Sequence, residues 1–348
     1  MKQETTINFG DERLIMIRLT ALWALNEAGL GGLMHLFRSP FTGIFVGGSA
    51  ILLIALIAHF SKKPGAAILR ALLLVLIIKG VVSPHSPLPA YLAVSFQGLL
   101  GALLFSRLSS FRLAALLLGA LGLLEAALQK LLVTTLLFGM PIWKAIDAFV
   151  DSVLQKFGVM DTDEAVRGSL WLIGWYIGLY FVSGLLIGWL AGRLPAEVKT
   201  AAGRLSVPEI SGTEDEPSGK RPHRAFWQKP ALRWIAFLLL LLTAIYLFAP
   251  ASREVLAPLW LLVRVVGVIA VWYFLLAPLL MRLLQRFLQK KASEYREEVA
   301  AALELLPVFR VLAKAAWAET RPMKGWRRWK EFAIRIITYA LLYSGKKS

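Results

Sequence analysis

Long runs of apolar side chains alternate with short polar segments along most of the chain. A helix that crosses a bilayer needs about 20 mostly apolar residues. Runs of this kind predict spans at 14–37, 41–60, 66–82, 89–107, 112–138, 168–192, 231–249 and 255–281. The pattern therefore predicts an all-α, polytopic membrane protein with about eight transmembrane helices.

The apolar pattern breaks between the third and fourth predicted spans. Lys79 places a charge at the end of one span, and the prolines of segment 83–89 prevent a continuous helix. The next span carries Gln97 within its apolar run. Polar groups at membrane depth are costly and often functional, so this hinge predicts a site.

Composition supports the membrane class and narrows the chemistry. Of the 348 residues, 57% are hydrophobic and 18% are charged, and the mean hydropathy is +0.64. The absence of cysteine excludes disulfides and thiolate metal sites. The sequence has no phosphate-binding loop, His-Glu-x-x-His or Gly-x-Ser-x-Gly motif. We therefore expect no enzymatic activity, catalytic residue, cofactor or metal site.

Lysine and arginine positions predict the topology. They concentrate in 61–65, in 106–112, in 193–230 and after residue 281, whereas 83–88 has none. Positively charged loops stay in the cytoplasm, so we expect both termini to be cytoplasmic. The membrane that we predict is the bacterial inner membrane. The net charge of +17 is explained by these segments, and no nucleic-acid partner is expected.

Changes in composition predict four parts of the chain. Residues 1–192 form a six-span substrate-binding module, 193–230 a flexible cytoplasmic linker, 231–281 a two-span module and 282–348 a basic amphipathic tail. The tail interleaves tryptophan with basic residues, a pattern typical of helices that lie on an anionic membrane surface. These membrane-surface candidates are Trp326, Arg327, Arg328, Trp329 and Lys330.

The predicted topology gathers polar side chains in the outer half of the first module. An outward-facing pocket for a small solute would need this distribution. The substrate-binding candidates are Glu27, Lys79, His85, Gln97, Glu125, Gln129 and Trp175. Alternative interpretations are snorkelling for Lys79 and His85, an interfacial aromatic belt for Trp175, and internal ion pairs such as Glu125 with Lys79.

Small residues recur every four positions in two predicted spans. Ala24 and Ala28 lie on one face of the first span, and Gly184 and Gly188 on one face of the sixth. Such faces let helix backbones approach closely. They fit either a partner interface or packing within the chain.

Residues 14–192 resemble the substrate-binding S components of energy-coupling factor (ECF) vitamin transporters. The resemblance lies in Ala24 and Ala28, in Gln97-Gly-Leu-Leu-Gly101 after the proline hinge, and in the glycine-rich run Leu118–Lys130. It implies a six-helix bundle with a vitamin capped by outer loops, and a first helix that meets the transmembrane coupling component. Residues 231–348 resemble that component faintly and lack its Ala-Arg-Gly motifs.

These patterns predict a transport protein that binds a vitamin-like solute and needs a separate energising partner, such as a cytoplasmic ATPase or another membrane subunit. The alternative is a scaffold for envelope assembly, which binds proteins or lipids through its basic tail. A membrane enzyme acting on lipid substrates would need a catalytic set that the sequence does not show.

Overall fold

The computed structural model describes residues 11–30, 41–83, 86–156, 167–208, 266–267, 269 and 271–343. Every element of regular secondary structure within these residues is a helix, which confirms the predicted all-α class. The α-helices are α1 Glu12–Leu25, α2 Gly48–Phe60, α3 Pro64–Val82, α4 Leu88–Arg107, α5 Phe111–Phe138, α6 Met140–Lys156, α7 Gly168–Ala202, α8 Ala277–Glu294, α9 Arg296–Glu319 and α10 Gly325–Leu342. Three π-helical segments accompany them: π1 Asn26–Leu30, π2 Gly43–Gly47 and π3 Val271–Leu276.

Five described helices are long and apolar enough to cross a membrane. They are Gly43–Phe60, Pro64–Val82, Leu88–Arg107, Phe111–Leu136 and Gly168–Ala202. These helices match the second to sixth predicted spans closely at most ends. The last one continues through Pro195 to Ala202, so part of the region predicted as linker is helical.

Of the other three predicted spans, the first and the last are described in part, and 231–249 is not described. Of the first predicted span, 14–37, the structure describes residues 14–30. They belong to α1, which begins two residues earlier at Glu12, and to π1. Residues 31–37, the span 231–249, the start of the span 255–281 and the centre of the predicted linker lie outside the described residues.

The larger of two compact units contains α1 to α4, the first part of α5, most of α7, and the C-terminal helices from Leu283 onward. Helix α1 lies at its centre and packs against α2, α3, α9 and α10. Leu19, Trp23 and Ala24 of α1 have no exposed surface. Although Arg18 and the polar residues after Leu25 interrupt its apolar pattern, α1 forms part of the core.

The second unit contains the end of α5, α6, the start of α7 and the beginning of α8. Gly139 joins α5 to α6 with a φ of 69°, a left-handed conformation that glycine adopts without steric cost. Two side-chain contacts fix α6. Trp143 Nε1 donates to Thr135 Oγ1 at 3.1 Å, and the Ser169 backbone N–H donates to Asp147 Oδ1 at 2.7 Å.

Candidate functional site

A buried ion pair lies inside the larger unit, where π1 faces the last turn of α3. Lys79 Nζ is 2.7 Å from Glu27 Oε2, and the two side chains are only 4% and 3% exposed. The ring of Tyr91, on α4, lies 5.8 Å from Lys79 Nζ, within the range of a cation–π interaction. Three helical segments therefore contribute to one charged centre.

Two π-helical segments hold the residues next to this pair. In π1, Asn26 Nδ2 donates to Val46 O of π2 at 3.0 Å. Asn26 Oδ1 accepts from Ser49 Oγ at 2.5 Å. Because a π-turn interrupts the regular α-helical hydrogen bonds, it leaves backbone groups open to side-chain partners, and such turns are frequent at functional sites. Asn26 thus ties π1 to π2 beside the ion pair.

Gln97 of α4 lies near the Glu27–Lys79 pair, and we call these three buried side chains the polar layer. Its side chain is buried, and two glycines make room for it. A methyl group added to Gly47 would lie 2.7 Å from Gln97 Nε2, and one added to Gly122 would lie 3.6 Å from Gln97 Cγ. Because Gly47 follows Val46 directly, Gln97 is close to the Asn26 contact. The structure therefore brings Glu27, Lys79 and Gln97 into one buried region.

The polar residues of α5 take different positions. Glu125 is half-buried, and its Oε2 has no hydrogen-bond partner among the described residues. The pair of Lys79 with Glu125 that the sequence left open is not formed, because Glu27 of π1 supplies the carboxylate. Gln129 Nε2 donates to Pro89 O at 3.2 Å and so joins α5 to the start of α4.

The remaining substrate-binding candidates do not join the layer. Trp175 is 72% exposed on the surface of α7, so its position fits the interfacial-belt interpretation. His85 lies outside the described residues. The polar layer thus contains three of the predicted site residues, Glu27, Lys79 and Gln97. Two others, Glu125 and Gln129, lie on α5 outside it.

The small-residue faces are packed within the chain. Ala24 has no exposed surface, and Ala28 is half-buried. A methyl group added to Gly184 would lie 2.5 Å from Gly119 O, and one added to Gly188 would lie 2.7 Å from Ala115 O. Helix α5 therefore covers the glycine face of α7, which is the intramolecular interpretation of that pattern rather than an open partner interface.

The tryptophan-rich start of α10 is partly engaged with the protein. The Arg328 guanidinium lies 3.9 Å from the centre of the Trp317 ring, and Lys330 Nζ is 2.7 Å from Glu197 Oε1. Trp326 and Trp329 are 59% and 52% exposed, and Arg327 is exposed as well. These last three side chains are the most exposed of the five membrane-surface candidates, whereas Arg328 and Lys330 also have partners within the chain.

Sequence reasoning missed two contacts that attach the tail to the bundle. The Arg18 guanidinium donates to Leu341 O and Tyr343 O at the end of α10. Arg70 of α3 forms a bidentate ion pair with Glu298 of α9. The only signal was an arginine within each apolar run. The partners are hundreds of residues away, so no local pattern could identify them.

The chemistry of this region is that of charge and hydrogen bonding. Among the described residues, no group of three or more histidine, aspartate or glutamate side chains could hold a metal ion. Comparison with protein-family models, curated proteins and solved structures gives no match. Function must therefore be argued from the geometry of the polar layer.

Proposed function

We propose that the chain is a membrane transport protein that binds a small, water-soluble solute in its first six spans. Those six spans would resemble an ECF S component, two further spans would bring the total to eight, and transport would depend on a separate energising partner. The observation that carries this proposal is the Glu27–Lys79 pair beside two π-turns. Ionisable groups inside a membrane bundle are costly, and they commonly mark substrate or ion pathways.

In this conformation the polar layer is closed. Glu27, Lys79 and Gln97 are each at most 5% exposed, so a solute could reach them only after the helices separate. Glu125 Oε2, which has no hydrogen-bond partner among the described residues, would accept a hydrogen bond from a polar ligand, and the carboxamide of Gln97 would donate one. A ligand that pairs with Lys79 or Glu27 would replace one partner of the buried ion pair.

A thermal-shift and native mass spectrometry screen of the detergent-purified chain tests this proposal, with vitamins and related polar solutes as ligands. We expect one class of solute to bind, with affinity lowered by Glu125→Ala and by Gln97→Ala. Trp175→Ala is the matched control, because that side chain lies on the surface and should leave the affinity unchanged. Unchanged affinity in both interior variants would reject the site assignment.

A second candidate function is a membrane scaffold that binds protein or lipid partners. The observation that favours it is the mutual pairing of Glu27 and Lys79, which leaves neither charge free for a ligand. In a scaffold these groups would serve only to fix the helices. The same screen distinguishes the two functions, because a scaffold would bind none of the solutes and would instead retain a protein or lipid partner on purification.

A further inference from the structure

A groove of about 460 Å³ opens between α1, α3 and α9 in the larger unit. Met16, Ile17 and Leu74 contribute apolar surface to its walls, and small residues such as Ala67 leave the groove open. Arg13 at the start of α1 and Lys63 just before α3 both line the groove, and the hydrogen bond from Ser61 Oγ to Glu12 Oε1 brings these two helix starts together at one end. By the distribution of basic loops, this is the cytoplasmic end.

The basic side chains at this end of the groove form no ion pairs in the described part of the chain, whereas the acidic side chains on the groove have partners. Arg13 and Lys63 are both exposed, and neither forms an ion pair in the described part of the chain. The two carboxylates on the groove already have partners. Glu12 Oε1 accepts from Ser61 Oγ at 2.8 Å and from the Lys62 backbone N–H at 3.1 Å.

The second carboxylate, Glu298, is bound by both arms of the Arg70 guanidinium. This ion pair bridges α3 and α9 and forms one wall of the groove. The groove therefore presents two uncommitted cations, Arg13 and Lys63, to an incoming anion. A ligand with a negative charge and an apolar body matches this combination.

The length of the groove sets the size of that apolar body. From Lys63 to Leu74 an α-helix rises about 16 Å at 1.5 Å per residue. The hydrocarbon core of a bilayer is about 30 Å thick, so the groove reaches through about one leaflet. A free phosphate or a nucleotide would leave the apolar part of the groove empty.

We propose that this groove binds one anionic phospholipid of the cytoplasmic leaflet. Its phosphate lies between Arg13 and Lys63, and one acyl chain follows Met16, Ile17 and Leu74. Basic pockets between helices on the cytoplasmic side of a membrane are suited to anionic headgroups. This inference does not depend on the transport proposal, because the groove shares no residue with the Glu27–Lys79 layer.

Native mass spectrometry of the full chain in detergent tests the proposal, with phosphatidylglycerol, phosphatidylcholine of the same acyl chains, and inorganic phosphate as separate probes. We expect a one-to-one phosphatidylglycerol complex. The variant R13Q/K63Q should weaken it about tenfold or more, because each basic residue contributes on the order of 1 kcal/mol toward an anionic lipid, and 1.4 kcal/mol is tenfold.

The control variant R107Q/R112Q removes the same charge from exposed positions that do not line the groove, and it should bind as the parent does. Ala66→Leu narrows the groove without changing its charge and should also weaken lipid binding. Equal binding of the two lipids, or equal losses in both charge variants, would overturn the proposal. Phosphate that competes as strongly as the lipid would identify a free-anion site instead. Melting temperatures without lipid verify that each variant folds, and Ala66→Leu decides if R13Q/K63Q does not.

Discussion

Lys79 Nζ lies 2.7 Å from Glu27 Oε2, and the two side chains are 4% and 3% exposed. The pair joins α3 to π1 across a bundle whose other interior contacts are mostly apolar. Removing two charges from water costs several kcal/mol per ion, and close pairing offsets much of this cost. The stability of the bundle should therefore depend on keeping both charges or neither.

The first prediction concerns this coupling. Glu27→Gln leaves an unpaired buried ammonium, and Lys79→Met leaves an unpaired buried carboxylate. Each should lower the free energy of unfolding by about 3–5 kcal/mol. The double variant E27Q/K79M removes both charges and should recover most of that loss. Thermal unfolding of the purified variants in detergent measures the effect. A double variant as unstable as the two single losses added together would contradict the coupling.

The five described helices that are long and apolar enough to cross a membrane were predictable, because each is an apolar run bounded by charge or proline. The partner of Lys79 could not be predicted, since Glu27 and Glu125 both lie at mid-depth in the predicted spans. The choice between them depends on how α1 packs against α3, which no local pattern encodes. The sequence also did not predict the two π-turns, because Asn26 and glycine occur in regular helices and loops as well.

The second prediction concerns the close contact of α5 and α7. A methyl group at Gly188 would lie 2.7 Å from Ala115 O, and one at Gly119 would overlap the backbone of Gly184 and Gly188. Gly188→Ala must therefore separate the helices, and we expect a loss of about 1–3 kcal/mol in unfolding free energy. Thermal or denaturant unfolding in detergent measures this loss.

Gly174 and Gly178 on the same helix provide the control. A methyl group at either position meets no atom within 4 Å. Alanine there should be neutral or should stabilise the helix by up to about 1 kcal/mol, because glycine is the poorer helix former. If Gly188→Ala behaves as Gly174→Ala does, the close packing is not required for stability.

The third prediction concerns the attachment of the tail. Arg18 donates to Leu341 O and Tyr343 O, so it supplies partners for carbonyl groups at the end of α10. Arg18→Met should leave these carbonyls unpaired and cost about 1–3 kcal/mol. We expect faster amide hydrogen exchange in residues 334–343, measured by mass spectrometry.

Arg18→Lys separates charge from geometry at the same position. A lysine keeps the positive charge but lacks the planar fork that reaches two carbonyl groups, so its effect should be intermediate. Arg107→Met is the surface control, since Arg107 is exposed at the end of α4. Protection of 334–343 that is unchanged in Arg18→Met would show that apolar packing alone holds α10.

The last prediction concerns the pH dependence of the contact between Asp147 of α6 and Ser169 of α7. The Ser169 backbone N–H and hydroxyl donate to Asp147 and hold the pKa of that carboxyl below its ordinary value. The start of α7 also favours a negative charge. A carboxyl whose pKa is lower in the folded chain stabilises the fold above its unfolded pKa of about 4. That stability is lost as the pH falls through the folded pKa.

Amide exchange at residues 168–171 should therefore accelerate, relative to its intrinsic rate, below about pH 4 in the parent chain. Asp147→Asn should show the faster exchange at every pH and lose the acid dependence, whereas Ser169→Ala keeps the backbone donor and should retain part of it. An acid dependence that persists in Asp147→Asn would assign the effect to another group.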